Sequence, residues 1–180
     1  MRIVQIITEL RPAGAERIVQ LLSCGLRAAG HDVTVISLRP LPAMSFVIDR
    51  LRTAGIAIHS LELTKATPWR ALRLKRLLRQ LRPDLIHAHL LHANVLSRLL
   101  RLPGVPLVNT VHIAERRPGK GWHFLLDRWT LSRCTVQTCV SHAVAGFIAE
   151  RLGRTSVGFP VIHNGIEPPE RLTLEEVRKL

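Results

Sequence analysis

The chain has 180 residues, of which 47% are hydrophobic and 22% charged, enough apolar material for one substantial core and too much for a disordered tail. Lys and Arg number 26 against 13 Asp and Glu, a net charge of +13, so the surface should attract anionic headgroups and phosphorylated ligands. Four Phe, three Trp and no Tyr offer no stacking platform beside those cations, which argues against nucleic acid as a partner.

The first predicted strand is Ile3–Thr8, too short for a signal-peptide core and followed by Glu9 and Arg11 rather than a cleavage site. A turn at Pro12–Glu16 opens a helix near 14–29, which Gly30 ends before a second strand, Val33–Leu38. A helix near 44–54 stops at Gly55, and Ile56–Leu61 follows as a third strand. In the helix near 68–81, Leu74, Leu77, Leu78 and Leu81 share one face while Arg73, Lys75, Arg76, Arg79 and Arg82 take the rest. Pro83 ends it, and the fourth strand is Leu85–Ala88. A helix near 90–101, a strand at Leu107–Val111, a helix near 121–133, a strand at Thr135–Val140 and a helix near 141–151 complete the alternation, with Ser141 as the last helix's cap. A short seventh strand is expected near Pro160–His163. Such alternation is the mark of right-handed βαβ units, hence an α/β domain with a mostly parallel sheet of about seven strands.

No apolar run approaches the ~18 residues of a membrane span. Cys24, Cys134 and Cys139 are an odd number without a CxxC pair and suit reduced thiols in a cytoplasmic protein. Any membrane contact should then be peripheral, on the inner face, through the basic helix.

Ligands of such sheets bind outside the carboxyl ends of the strands. Five segments there carry polar or glycine residues. In Pro12-Ala13-Gly14-Ala15-Glu16 the helix start offers backbone N–H groups to a phosphate, and Gly14 permits close approach. His87, His89, His92 and Asn94 cluster where the fourth strand enters its helix. No carboxylate accompanies them, so hydroxyl recognition by imidazole is a more economical reading than a metal site, and His87 also reads as a core residue. His112 ends the fifth strand ahead of a basic, glycine-containing loop, 116–121. Ser141 starts the last helix, and Asn164-Gly165 is a turn dipeptide before the acidic stretch from Glu167.

In register, these segments resemble the N-terminal, acceptor-side domain of the group 1, or family 4, retaining glycosyltransferases. Ala13–Glu16 is similar to the family's Gly-Gly-Ala-Glu, with Ala13 in place of the first Gly. Pro83–His89 resembles its Pro-Asp-hydrophobic-hydrophobic-His-x-His stretch, Asn109–His112 its Thr-x-His element, Val140-Ser141 its Val-Ser, and Ile162–Ile166 its Pro-Asn-Gly-Ile hinge, with His163 in place of Pro. The resemblance implies a Rossmann-like three-layer domain over residues 1–166, one half of a GT-B fold, with 167–180 a linker into a donor domain whose Glu-x7-Glu motif has no counterpart in this sequence.

It further implies transfer of a sugar from a nucleotide-diphosphate sugar to a hydroxyl of a polysaccharide, glycolipid or similar acceptor, without a metal or other cofactor. Ala13 and Gly14 would meet the donor diphosphate, His112 the transferred sugar as the catalytic-site residue, and His89, His92 and Asn94 the acceptor. Ser141, Asn164 and Gly165 would border the hinge. Cell-envelope polysaccharide synthesis is the expected setting, and the chain alone should be inactive. Two other readings stand beside this one: a non-catalytic adaptor anchored to anionic membrane by its basic helix, and a sugar-nucleotide epimerase-like domain.

Overall fold

The computed structural model describes residues 1–114, 121–154 and 158–166. In chain order the elements are β1 (Arg2–Ile7), α1 (Gly14–Ala28), β2 (Asp32–Ser37), α2 (Phe46–Thr53), β3 (Ala57–Ser60), α3 (Leu72–Leu81), β4 (Leu85–His89), α4 (Leu91–Leu99), β5 (Leu107–Val111), α5 (Gly121–Thr130), β6 (Val136–Cys139) and α6 (His142–Leu152). Single 3-10 turns at Pro68–Ala71 and Leu131–Arg133 lead into α3 and out of α5.

All five strand pairings are parallel and the order is β3-β2-β1-β4-β5-β6. The chain therefore winds outward in one direction from β1 and then in the other from β4, which makes the β1–β4 junction the topological switch point where such sheets bind ligands. Six strands form the sheet among the described residues. The expected seventh is represented by a single parallel bridge, Cys139 to Val161, held by Cys139 N–H to Pro160 O and Ile162 N–H to Cys139 O, both 2.9 Å.

Strand alternation sorts side chains between two faces. Ile7, Val33 and Val35 pack beneath α1 and α2 against Val19, Val47, Ile48 and Leu51. On the other face, Val4, Ile6, Ile86, Ala88 and Leu107 meet Leu74 and Leu78 of α3 and Ala93 of α4. Cys139 joins Phe124, Phe147, Ile148 and Leu152 of α5 and α6. Full burial of each such aliphatic side chain stabilises by roughly 1.5–3 kcal/mol.

The predicted punctuation holds. Gly30 (φ 84°) and Gly55 (φ 67°) end α1 and α2 in the left-handed region that glycine adopts without a Cβ clash. The Ser141 hydroxyl accepts from Val144 N–H at 3.2 Å and caps α6.

A buried guanidinium ties the second half together. Arg98 of α4 is fully buried, donating through Nε to Asn109 Oδ1 and through Nη1 to Asp127 Oδ1, both at 2.5 Å, and through Nη2 to Gln137 Oε1. It thus links α4, β5, α5 and β6. Burial pushes the Asp127 carboxyl up, and the Arg98 charge pulls it back.

Candidate functional site

Residues that leave β4, β5 and β6 on the α1 side of the sheet enclose a cavity of about 410 Å3. Its floor is polar: His87 and His89 from β4, Thr110 and His112 from β5 and just past it, and Thr138 from β6. Ile18, Leu21 and Leu22 of α1 form one wall, Val108 and Val140 extend the floor, and 162–166 form the opposite edge. Among the described residues no Asp, Glu, Lys or Arg lines it.

The floor is a set of directed hydrogen bonds. Thr138 Oγ1 donates to Asn109 O at 3.3 Å, so Thr110 Oγ1, 2.8 Å away, must donate to Thr138. His87 Nε2, 2.8 Å from Thr110 Oγ1, is then the donor to Thr110. Alongside runs a second chain, with Gln5 Oε1 2.8 Å from His89 Nε2 and His89 Nδ1 3.1 Å from His112 Nε2. The His87 and His89 rings lie 4.0 Å apart and those of His89 and His112 5.3 Å apart. Desolvation takes all three imidazoles down, His87 and His112 to about 4 and His89 well below its ordinary value, with like-charge repulsion adding at His87 and His89. They are neutral at physiological pH and can donate and accept.

The expected site residues divide. His89, His112, Asn164 and Gly165 meet at the cavity. His89 is 1% exposed and lies beneath His112, forming part of the floor. His92 is exposed on α4 beside His123, ring centroids 5.3 Å apart, and does not line the cavity. Asn94 is turned inward, with its amide nitrogen donating to Thr110 O at 3.1 Å and its Oδ1 buried with no partner among the described residues. Ser141 is engaged as the α6 cap. Ala13 and Gly14 are exposed at the start of α1, where Ala13 is extended and a Cβ added at Gly14 would meet nothing within 4 Å. Loop residues 116–120 and the stretch from Glu167 lie outside the described residues.

Sequence reasoning named Thr110 only as part of the Asn109–His112 stretch and missed Gln5 and Thr138, which read as ordinary polar residues of short strands. It also missed Leu90, which joins β4 to α4 at φ 71°, ψ 155°, a conformation that costs a side-chain-bearing residue roughly 1–3 kcal/mol. Leu90 N–H and the Asn94 amide both bond to Thr110 O, at 3.3 and 3.1 Å, and hold that strained junction against β5.

Comparison with known proteins agrees with this geometry. A glycogen synthase of Mycobacterium tuberculosis (strain CDC 1551 / Oshkosh) is 30% identical over 93% of the chain and 49% of its own length. The chain thus spans about half of the curated relatives it matches. A glycosyltransferase of Rickettsia africae ESF-5 superposes with a TM-score of 0.75 at 17% identity, over 99% of this chain and 48% of that one. HepE of Anabaena, solved with UDP, superposes at 0.73 with 18% identity, over 93% and 45%. These likenesses show the GT-B type of fold. The family model named Glycosyltransferase Family 4 matches residues 12–169, and the chain belongs to that family, as a domain of its N-terminal type.

Proposed function

We propose that this chain forms the acceptor-side half of a glycosyltransferase cleft in which a sugar passes from a nucleotide-diphosphate sugar to a hydroxyl acceptor. The observation that carries the reading is the cavity at the carboxyl ends of β4–β6, beside the switch point, with a floor of neutral imidazoles and threonine hydroxyls. The lone pairs that such a floor leaves open accept from the hydroxyls of a sugar. HepE of Anabaena was solved with UDP and with UDP-glucose, which supports a nucleotide sugar as donor here.

In this reading the exposed start of α1 at Ala13-Gly14 takes the diphosphate, since unpaired N–H groups and the helix dipole stabilise the charge that grows on the leaving group. His112 faces the transferred sugar and the exposed His92 at the start of α4 the acceptor, while the buried Asn94 holds α4 to β5. By the family resemblance the nucleotide pocket would belong to the half of the relatives that this chain does not span, so the chain by itself should turn over negligibly. The reaction so drawn uses no metal or other cofactor.

A lipid-linked or cell-surface polysaccharide acceptor is supported by one surface. Trp69 and Leu72 are 64% and 68% exposed at the start of α3, continuous with the outward Arg73, Arg76 and Arg79. An apolar tip with a cationic flank suits the anionic inner face of a membrane. No helix among the described residues is long and apolar enough to cross one.

The test is reconstitution. The chain is fused to the second half of a family relative, and sugar transfer is assayed with a panel of nucleotide sugars. Activity that depends on His112 supports the reading, whereas a folded fusion that transfers nothing from any donor counts against it. Vesicle flotation with Arg73→Glu, Arg76→Glu and Arg79→Glu examines the membrane contact separately.

A further inference from the structure

Gln5 sits in the middle of β1, fully buried, and does not line the cavity. Buried glutamine on a central strand is costly unless its amide is used. Here its oxygen meets His89 Nε2 at 2.8 Å while its own Nε2 is buried with no partner among the described residues, and the other His89 nitrogen meets His112 Nε2 at 3.1 Å. We propose that Gln5 is a positioning residue which, through His89, fixes the tautomer and ring orientation of His112.

The argument is one of proton counting. His89 is 1% exposed, beside two other imidazoles, and its ring is held well below its ordinary pKa by desolvation, so it carries a single N–H. That proton cannot serve both of its bonds. Because the Gln5 oxygen only accepts, the proton lies on His89 Nε2 and leaves Nδ1 bare. A bare Nδ1 accepts, so His112 must present Nε2–H to it. Since His112 is neutral as well, its own Nδ1 is then the unprotonated nitrogen, and that atom has no partner among the described residues. An amide two hydrogen bonds away thus decides which nitrogen of the outermost imidazole of the floor can accept.

The consequence for chemistry rests on the sugar-transfer reading above. A His112 with bare Nδ1 accepts a hydrogen bond from a hydroxyl and cannot donate a proton from that nitrogen. Its task is then to orient a neutral hydroxyl rather than to protonate a leaving group. His87 supplies an internal control, because its Nε2–H is dictated by the separate chain through Thr110 and Thr138 to Asn109 O.

The test needs no activity, so its failure is distinguishable from failure of the sugar-transfer reading. In the 15N-labelled chain near pH 7.5, long-range imidazole correlations report which ring nitrogen bears the proton. The wild type should show His112 and His87 both protonated at Nε2. In Gln5→Leu the His89 N–H would face an apolar side chain without a partner, so its proton should move to Nδ1 and bond to His112 Nε2. His112 should then carry its proton on Nδ1 in at least half of the molecules, with His87 unchanged. Gln5→Met, close in shape, is the milder form of the same change should Gln5→Leu not fold. The proposal is overturned if His112 bears its proton on Nδ1 in the wild type, or stays Nε2-protonated in the variants. A change at His87 of equal size would also overturn it, because the response would then be general loosening.

Discussion

Acidification should unfold this protein earlier than its carboxylates alone would require. Burial holds His87 and His112 at about 4 and His89 well below its ordinary value, against 6.5 for the exposed imidazole of the unfolded chain. Below pH 6.5 the unfolded state binds protons that the folded state refuses, so stability is fully present above that pH and falls as the pH drops toward 4. At pH 5 His87 and His112 have each cost about 2 kcal/mol, together about 4 kcal/mol, from a shift of 1.36 kcal/mol per pKa unit, and His89 adds to the loss in the same direction. That is comparable with the whole stability of a typical domain, about 5–15 kcal/mol. Urea denaturation at half-unit steps from pH 7.5 to 4.5 should show the midpoint falling steadily through this window. His87→Val should recover about 2 kcal/mol of the loss at pH 5 relative to its own value at pH 7.5. A wild-type midpoint unchanged between pH 7.5 and 5 would refute the claim that these rings are buried and neutral.

Asp127→Asn should destabilise the fold by about 3–5 kcal/mol in the same urea assay, because it leaves the buried Arg98 charge without its counter-ion. Ser141→Ala should cost about 1 kcal/mol by removing the hydroxyl that caps α6. Gly14→Ala should leave the thermal midpoint within a degree or so, since its Cβ meets nothing, yet raise the KM for nucleotide sugar in a reconstituted enzyme where the diphosphate lies on that turn. In the same enzyme His112→Ala should lower kcat/KM by about 100-fold with little change in melting, the size of loss seen when one preorganised polar contact to the reacting sugar goes.

The backbone was largely legible because its signals are local. Gly30, Gly55 and Pro83 stop helices where their conformational limits demand, Ser141 caps α6, and short β-branched runs alternate with amphipathic helices. The seventh strand shrank to one bridge because Val161 alone pairs with Cys139 before the chain leaves the sheet edge. That His89 and His112 line one cavity was legible, because a period of two and a strand end bring both to the carboxyl ends of β4 and β5. Asn94 and His92 illustrate what was not. Both sit in the first turns of α4, but whether such a side chain faces ligand, sheet or solvent depends on the angle at which α4 leaves β4, and that angle is set by Leu90 at an unexpected φ. Arg98 was invisible for the opposite reason. Its partners Asn109, Asp127 and Gln137 lie up to 39 residues away, and nothing in Ser97-Arg98-Leu99 announces a buried charge.

The chain carries +13, yet the cavity wall contains no formally charged side chain among the described residues. Electrostatics and grip are therefore divided in space. Added salt, with a screening length of about 8 Å at 0.15 M, should slow the arrival of an anionic ligand at the molecule. Once the ligand's uncharged portion is seated on imidazole and hydroxyl, ionic strength has almost nothing left to act on, so association should be salt-sensitive and residence time nearly salt-blind.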